Sequence, residues 1–302
     1  MIFDKTGKVY SKMEFSTEDE IENVVLHNFK LLFGDYSFLL GKNLITTNSG
    51  KGTIPDGIII DFQEKVWYIL EVERGVHGTW EHIAPQISKQ ITAMENVDTK
   101  TKIAENCIID IDKNTTFKNL LDEIDIEEIN IHRTINKILQ QPPKIALPID
   151  YIPADLKDWT KTLKVEVIVW LVEKYVDING NILFSIPEKE VEIEIGTQRK
   201  EIKGDWLTLV IENGWLSIGQ KLFFEYGPRG KSKTKFCGIV RKNGIEVDGE
   251  ISSVSISSLR CIQKVNPTRT SSNGWVVWKT EDGKLINELC EKLKTNNEEL
   301  EK

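Results

Sequence analysis

The sequence predicts a mixed α/β (α+β) protein of two domains, in which a sheet flanked by helices is followed by a smaller unit rich in strands. The first observation is that apolar runs of strand length alternate with helical patterns up to about residue 185. The second is a change from about residue 200, where short strands, hydroxyl-rich turns and several tryptophans follow one another. Because 302 residues suit about two domains, we place them at 1–190 and 200–302, with the boundary near 188–200.

The first predicted element is an amphipathic helix that begins after Thr17. Thr17 and Glu20 have the spacing of a capping box, in which two side chains satisfy free amides at the start of a helix. Apolar side chains then recur at roughly helical intervals up to Phe33, and Gly34 favours a stop there.

Two strands and a tight polar turn follow, in the stretch "PDGIIIDFQEKVWYILEVERG". Residues 58–62 form the first predicted strand, 63–65 the turn and 66–73 the second strand. The run "VWYILEV" is typical of a strand that is covered on both faces. A buried strand that ends in Glu71 and Glu73 calls for a positive partner, because buried carboxylates are otherwise costly.

A helix with an apolar stripe and several further elements complete the first domain. Ile83, Ile87, Ile91 and Met94 form the stripe, and Pro85 is expected in the first turn, where its missing amide has no helical partner to lose. The other predictions are strands at "NCIIDI", "PKIALPI" and "VEVIVWLVEKYV" and an acidic helix at "FKNLLDEIDIEEINIHRTINKIL".

Composition and the N-terminus exclude several classes of protein. No apolar run reaches the roughly 18–20 residues of a membrane span, and "MIFDKTGKVYSKMEF" lacks the basic-then-apolar order of a signal peptide. We therefore expect no membrane association and a cytoplasmic location. The four cysteines form no C-x-x-C pair and the four histidines are dispersed, which argues against a zinc cluster and favours reduced and mostly buried thiols.

Charge is unevenly distributed along the chain. The formal net charge is −8, but Lys and Arg outnumber Asp and Glu by two over 191–302, so residues 1–190 carry −10. Overall acidity argues against indiscriminate binding to nucleic acid, whereas local patches decide specific contacts.

Three acidic side chains are predicted at one edge of the sheet. Asp56 heads one strand and Glu71 lies near the end of its hairpin partner, so the tight turn returns them to the same edge. Glu71 and Glu73 lie two apart and share a face of the strand. Hard oxygen ligands of this kind hold Mg²⁺, which metal-dependent nucleases use to cleave phosphodiesters. An accidental match among 47 acidic residues is the alternative at this point.

The order of these segments resembles the PD-(D/E)XK restriction-endonuclease-like superfamily. The matching marks are a helix with Glu18 and Glu22, then "PDGIIID", "WYILEVERG" and "HIAPQISKQI", and the match covers roughly residues 14–190. The resemblance implies a central mixed sheet flanked by helices. It also implies Mg²⁺-dependent cleavage of DNA that leaves a 3′-hydroxyl, with Mn²⁺ as a substitute for Mg²⁺.

The same resemblance assigns roles to the carboxylates. It implies that Asp56 and Glu71 are metal ligands, joined by the Val72 carbonyl. Glu73 stands where the pattern usually has lysine. Some restriction enzymes of the superfamily carry E-x-E and are active, and a carboxylate there helps a second metal or orients water. Lys89, on the following helix, is a candidate to supply the positive charge that the usual lysine would provide.

Further catalytic candidates come from the two neighbouring helices. The resemblance implies that an acidic residue of the first helix points towards the metal. Glu22 is our choice for this residue, and Glu18 is the alternative. Gln86 resembles the glutamine that follows the catalytic strand in many relatives and steadies a phosphate or the metal-bound water. His82, Gln86 and Gln90 fall at intervals of four, which aligns them if the helix starts early enough. His82 is secondary, with a surface or capping role as the alternative.

The C-terminal stretch resembles the RAMA domain, which is named for its association with restriction enzymes and adenine methylases. The matching marks are "ENGWLSIGQKL", the Gly249 turn before "SVSISS", and "NGWVVW" before a closing helix, over nearly all of 205–292. Asn243-Gly244 and Asp248-Gly249 suit turns that require positive φ. The resemblance implies a DNA-binding module in which recognition of modified bases is suspected.

A basic segment without acidic residues runs from Tyr226 to Lys242. Its cations are Arg229, Lys231, Lys233, Lys235, Arg241 and Lys242. Gly227, Pro228 and Gly230 predict a loop or hairpin tip, which suits contacts with phosphates. A solvated charge run is the alternative.

Ser255, Ser257 and Trp275 are the other DNA-binding candidates. Ser255 and Ser257 share a face of a predicted strand, from which their hydroxyls donate to phosphate or close a turn. Trp275 and Trp278 lie three apart in a strand-like segment, so they are expected on opposite faces. Base stacking by Trp275 competes with core packing as its role.

These patterns predict a Mg²⁺-dependent DNA endonuclease of a restriction or defence type that acts on double-stranded DNA. One alternative is a catalytically inactive DNA-binding protein that keeps the nuclease fold. Another is a subunit of a larger restriction or helicase assembly, and a ribonuclease is a weaker third. A homodimer is attractive because two cuts need two sites, but this is symmetry reasoning and not a signal in the sequence.

Overall fold

The computed structural model describes residues 1–187, 206–227 and 232–290, which form a mixed α+β protein. The chain divides into two compact units, Met1–Thr197 and Gln198–Lys302. The predicted domain boundary near 188–200 lies outside the described residues. Within the described ranges, no helix combines the length and the apolar composition that a membrane span requires.

The first unit contains helices and strands in an alternating order. In chain order they are β1 (Ile2–Phe3), β2 (Val9–Met13), α1 (Glu18–His27), α2 (Phe29–Phe33), β3 (Ser37–Leu40), β4 (Ile45–Thr46), β5 (Gly52–Thr53), β6 (Gly57–Asp61), β7 (Val66–Leu70), α3 (Ala84–Met94), α4 (Val97–Asp112), α5 (Thr115–Glu123), α6 (Glu128–Leu139), β8 (Lys144–Ile149), α7 (Leu156–Thr160), β9 (Val167–Leu171), β10 (Glu173–Asp177) and β11 (Ile182–Ser185). A 3-10 turn, Gly75–His77, and a π-helical turn, Thr79–Ile83, precede α3.

The central sheet of the first unit is mixed and five-stranded, in the order β3-β6-β7-β8-β9. β3, β6 and β7 pair antiparallel, whereas β7, β8 and β9 run parallel. The β6–β7 hairpin turns at Lys65, whose φ is +57°. Its strands are buried on both faces, as the apolar run predicts. The parallel half requires a long crossover, which α3 to α6 supply.

Helices cover both faces of this sheet. Alternation along the strands sends Ile58, Ile60 and Trp67 into one core with α3, α4, α5 and α6. Ile59 and Leu70 face the other way and pack with α1 and α2 in a second core. A separate antiparallel sheet, in the order β1-β2-β10-β11, joins the N-terminal strands to the last strands of the unit.

Local signals placed several of these elements correctly. Thr17 caps α1, because its side chain accepts the Glu20 amide. The predicted single helix up to Phe33 is broken at Asn28 into α1 and α2, and Gly34 caps α2 with φ +81°. Pro85 lies in the first turn of α3, as predicted.

Other predictions for the first unit are wrong or incomplete. "NCIIDI" belongs to α4, because Ile103, Ala104, Cys107 and Ile111 form a buried helical stripe. The acidic helix is two helices, α5 and α6. "PKIALPI" contains β8, as predicted, and "VEVIVWLVEKYV" contains two strands, β9 and most of β10.

The second unit is built on a four-stranded antiparallel sheet. Its described elements are α8 (Trp206–Glu212), β12 (Lys221–Tyr226), β13 (Thr234–Arg241), β14 (Gly244–Val247), β15 (Glu250–Ser252) and α9 (Val254–Gln263). The strands pair in sequence order. Asp248 and Gly249 turn the chain between β14 and β15 with φ of +52° and +82°, as the Asp-Gly pair predicts. Residues 286–290 are helical.

Candidate metal centre

Asp56 and Glu71 meet because β6 and β7 pair antiparallel. Asp56 precedes Gly57 and Glu71 follows Leu70. Because Gly57 pairs with Leu70, both acids lie at the open end of the hairpin. The Val72 amide donates to Asp56 Oδ2 at 2.9 Å, which ties the two chain segments together. Asp56 and Glu71 are 9% and 2% exposed. We call these two residues the acidic pair.

Two glutamines of α3 hold the Glu71 carboxylate. Gln90 Nε2 donates to Glu71 Oε2 at 2.5 Å, and Gln86 Nε2 donates to Glu71 Oε1. Gln86 and Gln90 lie one helical turn apart, which lets both reach the same group. An ionised carboxylate has about four lone-pair positions, so each oxygen of Glu71 keeps capacity for a cation. The structure therefore places Gln86 at the site and adds Gln90 beside it.

Glu73 is buried beside two imidazoles. Its residue surface is 1% exposed, and its amide donates to the Pro148 carbonyl at 3.0 Å. Glu73 Oε2 lies 3.4 Å from His77 Nδ1, and Glu73 Oε1 lies 3.5 Å from His82 Nε2. Glu18 Oε2, from α1, lies 2.9 Å from His77 Nδ1. We call Glu18, Glu73, His77 and His82 the histidine cluster, and one ligand atom from each lies within 4.8 Å of the others.

Lys42 is the cation that the structure brings to the acidic pair. Lys42 Nζ lies 2.8 Å from Glu22 Oε1 and 3.4 Å from Asp56 Oδ1. Its hydrogen bond with Glu22 raises the pKa of Lys42. Glu22 therefore reaches the site through this lysine. Lys89 is exposed and makes no ion pair with any residue that the structure describes.

The buried carboxylates oppose one another's ionisation. Burial, followed by the charge of Asp56, raises the pKa of Glu71. Burial raises the pKa of Glu73 to about 8, and the charges of Glu18 and Asp56 add to the effect. Burial also raises the pKa of Asp56, against the opposing hydrogen bond from the Val72 amide. A cation bound here stabilises the ionised form of each carboxylate, and so offsets both the cost of burial and this repulsion.

The loop that carries both histidines is anchored to the segment after β8. The Gly75 amide donates to Asp150 Oδ1 at 2.8 Å, and Thr79 Oγ1 donates to Asp155 Oδ1 at 2.7 Å. A Cβ on Gly75 would lie 2.1 Å from the Tyr151 carbonyl oxygen, so only glycine permits this approach. The positions of the imidazoles are therefore set by protein contacts.

The basic candidates of the second unit that the structure describes lie along β13 and at its ends. Lys233, Lys235 and Lys242 are exposed. β12 and β13 pair antiparallel, and Arg229 and Lys231, between them in sequence, lie outside the described residues.

Arg241 differs from the lysines because it has a strong partner. Its Nε lies 2.5 Å from Glu246 Oε2 on the neighbouring strand, and the side chain is partly buried. Lys235 Nζ lies 4.9 Å from the centre of the Phe223 ring, which leaves the lysine exposed. The exposed lysines are thus better placed for phosphate contacts than Arg241.

The strand predicted across Ser255 and Ser257 is wrong, because both residues lie in α9. Ser257 is fully buried, donates to the Val254 carbonyl at 2.8 Å and accepts from Trp278 Nε1 at 3.0 Å. It is therefore a core residue and does not reach a phosphate. Ser255 is partly buried, and its Oγ accepts the Gly274 amide at 3.3 Å.

Trp275 is also a core residue. It is 3% exposed and packs with Trp278 in the hydrophobic core of the second unit. The predicted strand is a 3-10 turn, Gly274–Val276, which explains why both rings are buried instead of facing opposite sides. Core packing, the alternative to base stacking, is what the structure shows for Trp275.

Sequence reasoning missed two residues of the site. His77 lies four residues after Glu73 and five before His82, and this short-range spacing was a usable signal. Lys42 gave no comparable signal, because only the fold brings it next to Asp56 and Glu22.

Comparisons with known proteins identify no relative of this chain. No protein-family model matches the chain, and neither the curated proteins nor the solved structures contain a significant match to it.

Proposed function

We propose that this protein is a Mg²⁺-dependent DNA endonuclease of a restriction or defence type, which hydrolyses phosphodiester bonds in double-stranded DNA. The observation that carries the proposal is the convergence of Asp56 and Glu71 at one sheet edge, tied by the Val72 amide. The first unit is the cleaving unit in this account. The second unit binds DNA and senses base modification.

The order and direction of the strands support a restriction-endonuclease-like fold for the first unit. A central mixed sheet with helices on both faces is what the sequence resemblance implies. In the second unit, a small antiparallel sheet with short helices supports the RAMA-like assignment.

The acidic pair has the chemistry that Mg²⁺ prefers. Asp56 and Glu71 offer only oxygen atoms, and burial is the main cause that raises their pKa values, so a cation is needed to stabilise their ionised forms. Lys42 is the nearby cation, but its side chain is 53% exposed and is shared with Glu22. When bound here, Mg²⁺ supplies charge stabilisation at the phosphate and lowers the pKa of a bound water.

The chain's own residues position these ligands. The Val72 amide fixes Asp56, and Gln86 and Gln90 fix Glu71 from the other side. Gln86 is partly exposed, so it is also placed to hold a phosphate oxygen or a water. Lys42 contributes a positive charge beside Asp56, where a phosphodiester brings negative charge.

A second candidate function is a DNA-binding protein that keeps the fold without cleavage. The observation that favours it is Glu73, a buried carboxylate at the position where the resemblance leads one to expect lysine. The two candidates share the DNA-binding role of the second unit and differ only in turnover.

The test is a digestion with purified full-length protein. Unmodified DNA, DNA with 6-methyladenine, 5-methylcytosine or hydroxymethylcytosine, and RNA are incubated with Mg²⁺ or Mn²⁺. Cleavage of DNA that is lost in Asp56→Ala supports the nuclease, and a difference between modified and unmodified DNA supports sensing. DNA binding without cleavage under all conditions favours the second candidate, and cleavage of RNA alone overturns both.

A further inference from the structure

The histidine cluster differs chemically from the acidic pair. It combines two imidazole nitrogens with two carboxylates, whereas the acidic pair offers oxygen atoms alone. Imidazole suits Zn²⁺, Fe²⁺, Ni²⁺ and Cu²⁺, and carboxylates extend the range to Mn²⁺. The two groups of ligands therefore favour different metals.

The distances within the cluster match one ion held by several donors. His77 Nδ1 lies 2.9 Å from Glu18 Oε2 and 3.4 Å from Glu73 Oε2, and His82 Nε2 lies 3.5 Å from Glu73 Oε1. Metal–ligand bonds of about 2.1 Å in a tetrahedron place the ligand atoms about 3.4 Å apart. The three separations, which involve both oxygens of Glu73, range from 2.9 to 3.5 Å, and one ligand atom from each of the four residues lies within 4.8 Å of the others.

Four separate segments of the chain bring these donors together. Glu18 begins α1, Glu73 follows β7, and the histidines lie in the 3-10 turn and the π-helical turn before α3. Asp150 and Asp155 hold this loop in place through Gly75 and Thr79. The donors are thus preorganised, which lowers the conformational cost of binding an ion.

Burial and access also suit a metal ion. The Glu73 side chain is 1% exposed, and the two imidazoles face its two oxygens. The side chains of Glu18 and His82 are 40% and 45% exposed, which leaves a path for an ion from solvent. The cluster therefore combines one buried carboxylate with ligands that solvent reaches.

We propose that Glu18, Glu73, His77 and His82 form a binding site for one first-row transition-metal ion of the Zn²⁺ class. Four protein donors make it a closed site, whose role is to fix the loop between β7 and α3 against α1. This inference does not depend on nuclease activity, because metal binding by the cluster is measured directly.

The test is a titration of metal-free full-length protein with Co²⁺, followed by visible absorption. Four-coordinate Co²⁺ gives intense visible bands, which report the ligand geometry independently of catalysis. We expect one equivalent of Co²⁺ to produce the bands, Zn²⁺ to displace it, and millimolar Mg²⁺ to leave it bound. Glu18→Gln, His77→Ala and His82→Ala should each weaken Co²⁺ binding at least about tenfold.

Matched controls separate the cluster from nonspecific sites. Asp19→Asn removes an exposed acid next to Glu18, and His132→Ala removes an exposed histidine of α6; both should bind Co²⁺ like the unaltered protein. Asp56→Asn should keep the Co²⁺ bands while losing Mg²⁺-dependent cleavage. The inference is overturned if no bands form, if they survive His77→Ala, or if the controls lose them equally.

A second measurement uses the unaltered protein, so poor folding of a variant does not affect it. Imidazole nitrogen shifts recorded by NMR on the unaltered protein should change at His77 and His82 on addition of Zn²⁺, and should not change at His27 and His132. Changes at all four histidines, or at none, would contradict the assignment.

Discussion

The Val72 amide donates a 2.9 Å hydrogen bond to Asp56 Oδ2. This bond joins residues 16 positions apart in sequence and holds the start of β6 against the end of β7. Asp56 is thereby fixed beside Glu71, which two glutamines fix from α3. The proposed nuclease site depends on this arrangement, and several consequences are measurable.

Asp56→Asn and Asp56→Ala should differ in stability although both remove the ligand charge. Asparagine keeps an oxygen that accepts the Val72 amide, whereas alanine leaves that buried amide unsatisfied. Urea unfolding in EDTA should show Asp56→Ala about 1–3 kcal/mol less stable than Asp56→Asn. Equal stability of the two variants would mean that the hydrogen bond does not hold this edge together.

Gln90→Ala should destabilise the protein more than Gln86→Ala. Gln90 is fully buried, so its removal leaves a cavity and takes a donor from Glu71; Gln86 is partly exposed. We expect a loss of roughly 2–4 kcal/mol for Gln90→Ala and about 1 kcal/mol for Gln86→Ala. Urea unfolding curves give both values, and the reverse order would contradict the assigned contacts.

Lys42→Ala should reduce Mg²⁺-dependent cleavage, whereas Lys89→Ala should not. Lys42 is the lysine that lies beside Asp56, and Lys89 is exposed without an ion pair among the described residues. Loss of a preorganised positive group of this kind costs about 10²-fold in rate. Single-turnover cleavage rates at saturating Mg²⁺ compare the two variants, and an effect confined to Lys89→Ala would restore the sequence-based assignment.

Lys233→Ala with Lys235→Ala should weaken DNA binding and lower its salt dependence. Both side chains are exposed on or next to β13. If each contacts one phosphate, the slope of log K against log salt should fall by about 2. Lys284→Ala is the matched control, because Lys284 pairs with Asp282 in another part of the second unit. An unchanged slope in the double variant would place the interface elsewhere.

Asp61→Asn should change how stability depends on pH. Burial raises the pKa of Asp61 to about 7, although its Oδ1 accepts the Gln63 and Glu64 amides at 2.9 and 3.0 Å. Asp61 ionises near pH 4 in the unfolded chain and near pH 7 in the folded chain. Its ionisation therefore lowers the free energy of unfolding as pH rises from about 4 to about 7. The contribution is at most about 4 kcal/mol.

Asparagine keeps the acceptor and removes the titration. The stability of Asp61→Asn relative to the unaltered protein should therefore rise between pH 4 and pH 7 and then level off. Thermal unfolding across this range measures the difference, with Asp19→Asn as an exposed control. A constant difference across the range would show that Asp61 is ionised normally in the folded state.

Short-range patterns predicted much of the first unit. The cap at Thr17, Pro85 in the first turn of α3 and the β6–β7 hairpin follow from local chemistry, and each is present. "NCIIDI" misled because β-branched residues favour strands, although Cys107 and Ile111 continue a helical stripe that begins at Ile103. The helical periodicity of the buried residues outweighed the strand preference of the individual side chains.

From residue spacing alone, the site was predictable only where a hairpin creates it, whereas Gln86 came from the family resemblance. Asp56 and Glu71 follow from the pairing of two adjacent strands. Lys42 and Glu18 come from other elements, and no spacing reports their approach. The spacing of the cysteines and histidines predicted no zinc cluster, and the structure places two carboxylates, Glu18 and Glu73, beside His77 and His82.

The measurement that tests the nuclease proposal most directly is cleavage of supercoiled plasmid in Mg²⁺ by the unaltered protein, Glu71→Gln and Asp61→Asn. Glu71 and Asp61 are both buried acids at opposite ends of the same hairpin, and only Glu71 belongs to the acidic pair. We predict cleavage with 3′-hydroxyl ends by the unaltered protein and Asp61→Asn, and loss of cleavage in Glu71→Gln and in EDTA. Cleavage that persists in Glu71→Gln would contradict the proposed site.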